Sequence, residues 1–367
     1  MGALALAIIL KVKIRKRFGG GFTLDAEHEF GPGFHILFGA SGAGKTTVLD
    51  CVAGLTTPDD GRITLGGRTL FDTSTHIDVP TYRRRVGYVV QTQALFPHLT
   101  VHDNISFGLS NQDPERASRI DRAMQEMEIA GLGLRKPSEL SAGQRQRVAL
   151  ARTLVTDPQC LLMDEPLAAL DAATKSTIVD VLRKWNEPRQ VPILYVTHDR
   201  DEAYTLGERL IVLEEGKIIA AGTPQQVLTT PARNPVAQLA GFENLVRCEV
   251  VGEHPDQGTM SCRISATEVV LEAPLTRLAS AQVVLGVRAG DILLAADQPK
   301  GISARNVLLG RIESLELRGV LVRLLVNVRG AKFEVHVTPG AQVALGLSGG
   351  KTVWLIIKTY SCHLLNA

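Results

Sequence analysis

The sequence predicts an α/β domain built on a largely parallel sheet, followed by a small all-β module. Three observations carry that prediction. Apolar strand-like runs alternate with helically spaced stretches as far as about Gly241. A glycine-rich segment, residues 39–47, lies between one such run and one such helix. Beyond a proline-containing hinge at 230–235 the hydrophobic period changes to two.

Taken in order, residues 1–10 are apolar and are followed by Lys11, Lys13, Arg15, Lys16 and Arg17. A signal peptide carries its positive charge before the apolar run, not after it. The run is also too short to span a bilayer. It is expected to be a first strand continuing through residues 11–14. Residues 34–38 form a buried strand, and 47–53 a helix with Val48, Leu49 and Val52 on one side and Gly54 as its stop. A helix is expected over 144–155, with Val148, Ala151 and Val155 at helical spacing, ended by Thr156-Asp157-Pro158. Strands follow at 160–163, 193–196 and 209–213, and Glu214-Glu215-Gly216 turns a late hairpin. After the hinge, Val322, Leu324, Val326 and Val328 face one way with Leu321, Arg323, Leu325 and Asn327 opposite, Arg329-Gly330 turns the chain, and Phe333, Val335 and Val337 alternate again with Lys332, Glu334 and His336. With a strand at 353–357 this is an all-β module of barrel type, with little helix after Gly241.

The 367 residues suffice for two or three domains. Lys and Arg number 40 against 38 Asp and Glu, so bulk charge does not favour nucleic acid as a partner. Five scattered cysteines without C-x-x-C spacing argue for a reduced compartment and no metal framework. No stretch is long enough to be a transmembrane helix, so membrane work would need another subunit.

The chemistry lies in three motifs. Gly39-Ala40-Ser41-Gly42-Ala43-Gly44-Lys45-Thr46-Thr47 fits G-x-x-x-x-G-K-[ST]. In such a loop successive N–H groups converge on phosphates, the lysine reaches the β- and γ-phosphates, and the threonine hydroxyl (here Thr46) ligates Mg²⁺. The following helix N-terminus adds its own attraction for phosphate. Second, the apolar strand 161–163 ends in Asp164-Glu165. Beside a phosphate loop, Asp164 is expected to hold Mg²⁺ and Glu165 to polarise the attacking water. Third, Leu140-Ser141-Ala142-Gly143-Gln144 opens a helix with Ser141 as its cap.

With these motifs the chain resembles the ATP-binding subunits of ABC transporters. Val89-Val90-Gln91 is similar to that family's Q-loop, Ala169-Leu170-Asp171 to its D-loop, and Tyr195-Val196-Thr197-His198-Asp199 to its switch-histidine loop. Ala142 and Ala169 replace residues that are often Gly and Ser in the family. The resemblance implies a P-loop ATPase domain with a helical subdomain, using ATP and Mg²⁺. It implies catalytic roles for Glu165, His198 and Gln91, with Gln91 also near the metal beside Thr46 and Asp164. It implies that two copies face head to tail, so that Ser141, Gly143 and Gln144 of one copy complete the ATP site of the other, with Asp171 adjoining it. Phe18 is favoured over Phe22 as the adenine-stacking aromatic.

Toward the C-terminus, residues 286–294 and 302–308 are similar to the molybdate importer's ATPase, whose small Mop or TOBE domain binds oxyanions. On that resemblance Ser303, Arg305, Asn306 and Lys358 are candidate oxyanion contacts. The expected domains are 1–235 (ATP-binding), 236–299 (a linking β-rich segment) and 300–367 (regulatory, OB-like). The implied partners are a second copy, integral permease subunits, an extracytoplasmic binding protein reached through them, and molybdate or tungstate on the regulatory domain. The implied place is the cytoplasmic face of the inner membrane. Importers of sulfate, tungstate, ferric iron or sugar share the architecture. A soluble ABC protein acting on nucleic acid or ribosomes would carry two cassettes or a long coiled-coil insertion, and neither is present in the sequence.

Overall fold

The computed structural model describes residues 7–90, 92, 94–168, 170–229, 234–276 and 281–365. The chain divides into two compact units between Pro224 and Gln225, eleven residues ahead of the expected boundary at 235.

In the first unit the strands are β1 (Leu10–Arg17), β2 (Thr23–Phe30), β3 (Gly33–Phe38), β4 (Asp60–Leu65), β5 (Arg68–Asp72), β6 (Ile77–Asp78), β7 (Val86–Val89), β8 (Cys160–Asp164), β9 (Pro192–Val196), β10 (Arg209–Glu214) and β11 (Lys217–Gly222). The helices are α1 (Lys45–Ala53), α2 (Val101–Ser106), α3 (Arg116–Glu126), α4 (Ala142–Leu154), α5 (Ala172–Asn186) and α6 (Arg200–Leu206). All eleven strands form one sheet in the order β6-β5-β4-β1-β2-β11-β10-β3-β9-β8-β7. The run β10-β3-β9-β8-β7 is parallel. Strands β3 and β9 are buried along their whole length, as parallel strands covered on both faces must be. The other half is mainly antiparallel, and there β1 alternates buried and exposed positions. The expected first strand starts only at Leu10, and residues 1–6 lie outside the described residues. Helices α2, α3 and α4 enter between β7 and β8 as the expected helical subdomain.

Two short helices, α7 (Pro224–Thr229) and α8 (Asn234–Leu239), lead into the second unit. Residues 230–233 of the expected hinge lie outside the described residues. The second unit has strands β12 (Asn244–His254), β13 (Thr259–Ile264), β14 (Val270–Pro274), β15 (Gln282–Val287), β16 (Leu293–Ala295), β17 (Asn306–Arg318), β18 (Leu321–Val328), β19 (Ala331–Val337), β20 (Thr352–Ile357) and β21 (His363–Leu365), with helix α9 (Pro339–Ala344) after β19. They form two five-stranded antiparallel sheets, β14-β13-β12-β15-β21 and β16-β20-β17-β18-β19.

The two sheets are copies of one pattern. Each long strand, β12 and β17, begins at an asparagine, and each carries a bulge at the same place, Val250/Gly252 and Ile312/Ser314. Asn244 pairs with Val287 as Asn306 pairs with Ile357. The fifth strands are exchanged. β16 follows β15 in sequence but pairs with β20, while β21 follows β20 but pairs with β15. Asn244 and Asn306 tie the two sheets together. The Asn306 side chain accepts from Glu272 N at 2.6 Å and donates to Glu272 O at 2.9 Å. Asn244 does the same to Glu334, at 2.6 and 2.9 Å. Both asparagines are buried, where unpaired amides are costly. Residues 236–299, expected as a linking segment, are therefore half of a two-sheet unit. Cys248, Leu271 and Leu285 share one core with Leu324, Phe333 and Leu355. The all-β character and the alternation of β18 and β19 agree with expectation.

Candidate active site

The phosphate loop joins β3 to α1. A Cβ on Gly39, whose φ is +156°, would lie 2.3 Å from the Leu213 carbonyl oxygen of β10, so only glycine lets the loop leave the sheet here. Gly44 (φ +102°) precedes α1 without any side-chain cap. The first N–H groups of α1 therefore have no intrahelical or side-chain acceptor and are available to an anion. Ala40, Ser41 and Gly42 are exposed at the crest, Ala43 and Gly44 are buried, and Thr47 is half-buried. The Lys45 ammonium donates to Gly39 O (2.9 Å) and Ala40 O (2.8 Å). Burial lowers the pKa of Lys45, and the carboxylates of Glu165 and Asp164 act against that shift.

Asp164 ends β8 and accepts a hydrogen bond from the Thr46 hydroxyl at 2.9 Å. Two hard oxygen donors thus face each other at the start of α1, the donor set that Mg²⁺ takes together with phosphate oxygens. The Asp164 carboxyl is raised above its usual range, first by burial and then by the charges of Glu165 and Asp50, while Thr46 and Lys45 hold it down. Glu165 has a left-handed backbone, φ +44°, which is strained for a residue with a side chain. Its N–H donates to Val196 O of β9 at 3.1 Å, which holds it in that conformation. The Glu165 carboxylate lies 2.9 Å from His198 Nδ1. The two side chains, 33 positions apart in sequence, are in direct contact.

The residues leading to His198 are held by a buried network that sequence reasoning missed. Glu202 on α6 accepts from the Thr197 hydroxyl (2.7 Å), from the Tyr195 hydroxyl (3.1 Å) and from Lys175 of α5 (2.6 Å). The signal was visible as an acidic residue one helical turn after the histidine loop, but its partner Lys175 is remote in sequence.

Ser141 caps α4 in a reciprocal box: its hydroxyl accepts from Gln144 N, and the Gln144 side chain accepts from Ser141 N. Asp171 caps α5 through Thr174 N and the Thr174 hydroxyl. Thr174 also abuts Gly143, where an added Cβ would come within 2.9 Å of its methyl group. The signature therefore lies beside the first turn of α5, which Asp171 caps. Ala169 and Gln91 lie outside the described residues. Beyond Gln91, the buried Asn104 ties the loop down, accepting from Phe96 N and donating to Phe96 O and Thr100 O. Phe96 stacks 4.4 Å from Phe107, which is 65 % exposed and was not singled out from the sequence.

Phe18 and Phe22 flank the glycine turn between β1 and β2, with ring centroids 5.9 Å apart. Phe22 packs on the core beside Gly44, whereas Phe18 is 40 % exposed. In the second unit, Ser303, Arg305 and Lys358 are exposed, and the pairing of Asn306 with Ile357 brings Arg305 and Lys358 to one end of β17 and β20. Asn306 requires a correction: both ends of its amide are spent on Glu272, so it is a clamp within the fold and not a free donor to an oxyanion.

Comparison with known proteins agrees with this geometry. Residues 32–168 match the ABC transporter family model and residues 302–364 the TOBE domain model. The chain is 37 % identical to the molybdenum import ATP-binding protein ModC of Paramagnetospirillum magneticum, over 95 % of this chain and 96 % of that protein. It is 37 % identical to the molybdate/tungstate import ATP-binding protein WtpC of Pyrococcus abyssi, over 92 % of each. A solved bacterial ABC transporter cassette, described as dimeric, superposes with a TM-score of 0.50 at 29 % identity, covering 59 % of this chain and 98 % of that one. No described helix is long and apolar enough to cross a membrane. The chain belongs to the ATP-binding subunits of ABC transporters, as an ABC ATPase that carries a C-terminal TOBE domain.

Proposed function

We propose that this chain is the motor of an ABC importer for molybdate, working as a head-to-tail homodimer on the cytoplasmic face of integral permease subunits. The observation that carries the cargo assignment is the similarity to molybdenum import proteins, which extends over nearly the whole chain and so includes the second unit. The Pyrococcus relative supports tungstate as an alternative cargo.

Hydrolysis follows from the residues already described. ATP lies on the N–H groups of the loop 39–44 and of the start of α1, with Lys45 over its terminal phosphates. Thr46 and Asp164 would hold Mg²⁺, whose chemistry there would be charge neutralisation on the phosphate oxygens. Glu165 accepts a proton from water as the water oxygen attacks the γ-phosphorus. The bond from that phosphorus to the β,γ-bridging oxygen breaks, leaving ADP and phosphate. His198, in contact with Glu165, orients that carboxylate and the γ-phosphate. Ser141 and Gly143 of the partner copy close over the same phosphate, which makes hydrolysis conditional on dimer closure. Gln91 senses the site, and the loop after it, with the exposed Phe107 beside Phe96, offers the permease an apolar dock.

The test is ATPase activity of the full chain assembled with its permease in vesicles, with the binding protein loaded in turn with molybdate, tungstate and sulfate. Molybdate or tungstate should stimulate turnover and sulfate should not. Stimulation by sulfate alone would reassign the cargo, and no turnover in any arm would remove the motor assignment.

A further inference from the structure

Two side-chain bridges, not one, join α1 to the strands that end at the nucleotide site. The first is Thr46 to Asp164 at 2.9 Å. The second is the Tyr88 hydroxyl donating to Asp50 Oδ1 at 3.1 Å. Asp50 stands four residues after Thr46, on the same face of α1 and one turn further along. Tyr88 pairs with Leu162 of β8, two residues before Asp164, so all three share one face of the sheet. Tyr88 also lies three residues ahead of Gln91, on the strand that leads into that loop. Asp50 is half-buried and has no cation within ion-pair distance among the described residues. The Asp50 carboxylate is thus oriented by a phenol, and its charge has no lysine or arginine partner among the described residues. Burial opposes its ionisation, and the Tyr88 hydrogen bond favours it.

We propose that Asp50, oriented by Tyr88, is a positioning residue of the Mg²⁺·ATP site, an outer anionic group that strengthens cation binding by charge without ligating the metal. The inference rests on the assignment of Mg²⁺ to Thr46 and Asp164. The field of the Asp50 carboxylate reaches Asp164, because Asp50 stands one helical turn from Thr46 and the Thr46 hydroxyl touches Asp164 at 2.9 Å. A divalent cation entering between Thr46 and Asp164 would feel the same field with the opposite sign. The Tyr88 bridge fixes the carboxylate in place, so the field is present before the cation arrives.

The test uses the full chain and reads cation binding apart from turnover. ATP binding would be titrated calorimetrically with and without Mg²⁺, and Mn²⁺ binding to the ATP complex would be followed by electron paramagnetic resonance. Asp50→Asn keeps the size and can still accept from Tyr88 but removes the charge. It should weaken Mg²⁺ and Mn²⁺ binding by about fivefold at low salt, with less effect at high salt, and leave Mg²⁺-free ATP binding unchanged. Tyr88→Phe keeps the charge and loses its orientation, so its effect should be smaller. Asp164→Asn is the reference. If it abolishes tight cation binding while Asp50→Asn binds like wild type, the proposal fails. If Asp164→Asn itself binds cation normally, the underlying metal assignment fails. Loss of Mg²⁺-free ATP binding in Asp50→Asn would make the bridge a structural brace and also overturn the proposal. Should Asp50→Asn not fold, Tyr88→Phe carries the test by the same readouts, and wild-type cation affinity there overturns the proposal.

Discussion

Replacing Asn306 by alanine should unfasten the second unit by an amount that the geometry sets. The side chain makes two hydrogen bonds to the Glu272 main chain, at 2.6 and 2.9 Å, and is 3 % exposed. Each bond contributes about 1 kcal/mol net, and truncation also leaves a main-chain N–H and C=O facing an apolar gap, so the loss should total about 2–4 kcal/mol. With a urea m-value of about 2 kcal/mol/M, the midpoint should fall by about 1–2 M. Trp354 is the only tryptophan after residue 224, and it pairs with Leu309 and Ala295 across β20. Its fluorescence in a Trp185→Phe background would follow this unit alone. Asn244→Ala should give a loss of the same size, because its contacts with Glu334 are the same. Asn306→Asp should not rescue, since a carboxylate would then face the Glu272 carbonyl. A midpoint shift below about 0.3 M in both alanine variants, or wild-type stability of Asn306→Asp, would refute the clamp argument.

Three further outcomes are expected. Glu165→Gln should keep ATP binding and lower hydrolysis by about 10²-fold or more, measured as phosphate release, and wild-type turnover would remove Glu165 as the base. Ser141→Arg subunits mixed with Lys45→Ala subunits should regain ATPase activity that neither has alone, because one site of the mixed dimer carries neither lesion; loss of nucleotide binding in Ser141→Arg alone would contradict completion in trans. Burial lowers the pKa of His35 to about 4. Between that value and its ordinary pKa the unfolded chain binds a proton that the folded chain refuses, so stability should drop as pH falls through this window, by up to about 3 kcal/mol. His35→Gln should flatten the melting temperature between pH 6.5 and pH 4, and an unchanged profile would assign the acid sensitivity elsewhere.

The phosphate loop, the acidic pair, the capped signature helix and the strand periods were legible because each is local. The loop's glycines, the Ser141 box and the alternation of β18 act within a few residues of chain, so short-range chemistry writes them directly into the sequence. The same locality made the α1 stop at Gly54 and the turn at Glu215-Gly216 readable.

What the sequence did not disclose depends on residues that meet only in three dimensions. The Glu202 network needs Lys175 from another helix, the Asp50 bridge needs Tyr88 from another strand, and the Glu165 strain needs Val196 as its anchor. The second unit makes the point most fully. A period of two tells which residues face a core but not which strand lies alongside, so 236–299 read as a link and Asn306 as a ligand contact. Only the exchange of β16 and β21 between the two sheets, and the asparagine clamps that join the sheets, made these residues half of a duplicated fold. By itself the sequence determined the phosphate loop, the capped signature helix and the α/β then all-β order. The tertiary structure decided the pairing of strands and the supports behind each candidate site residue, because hydrogen bonds between distant segments leave no pattern along the chain.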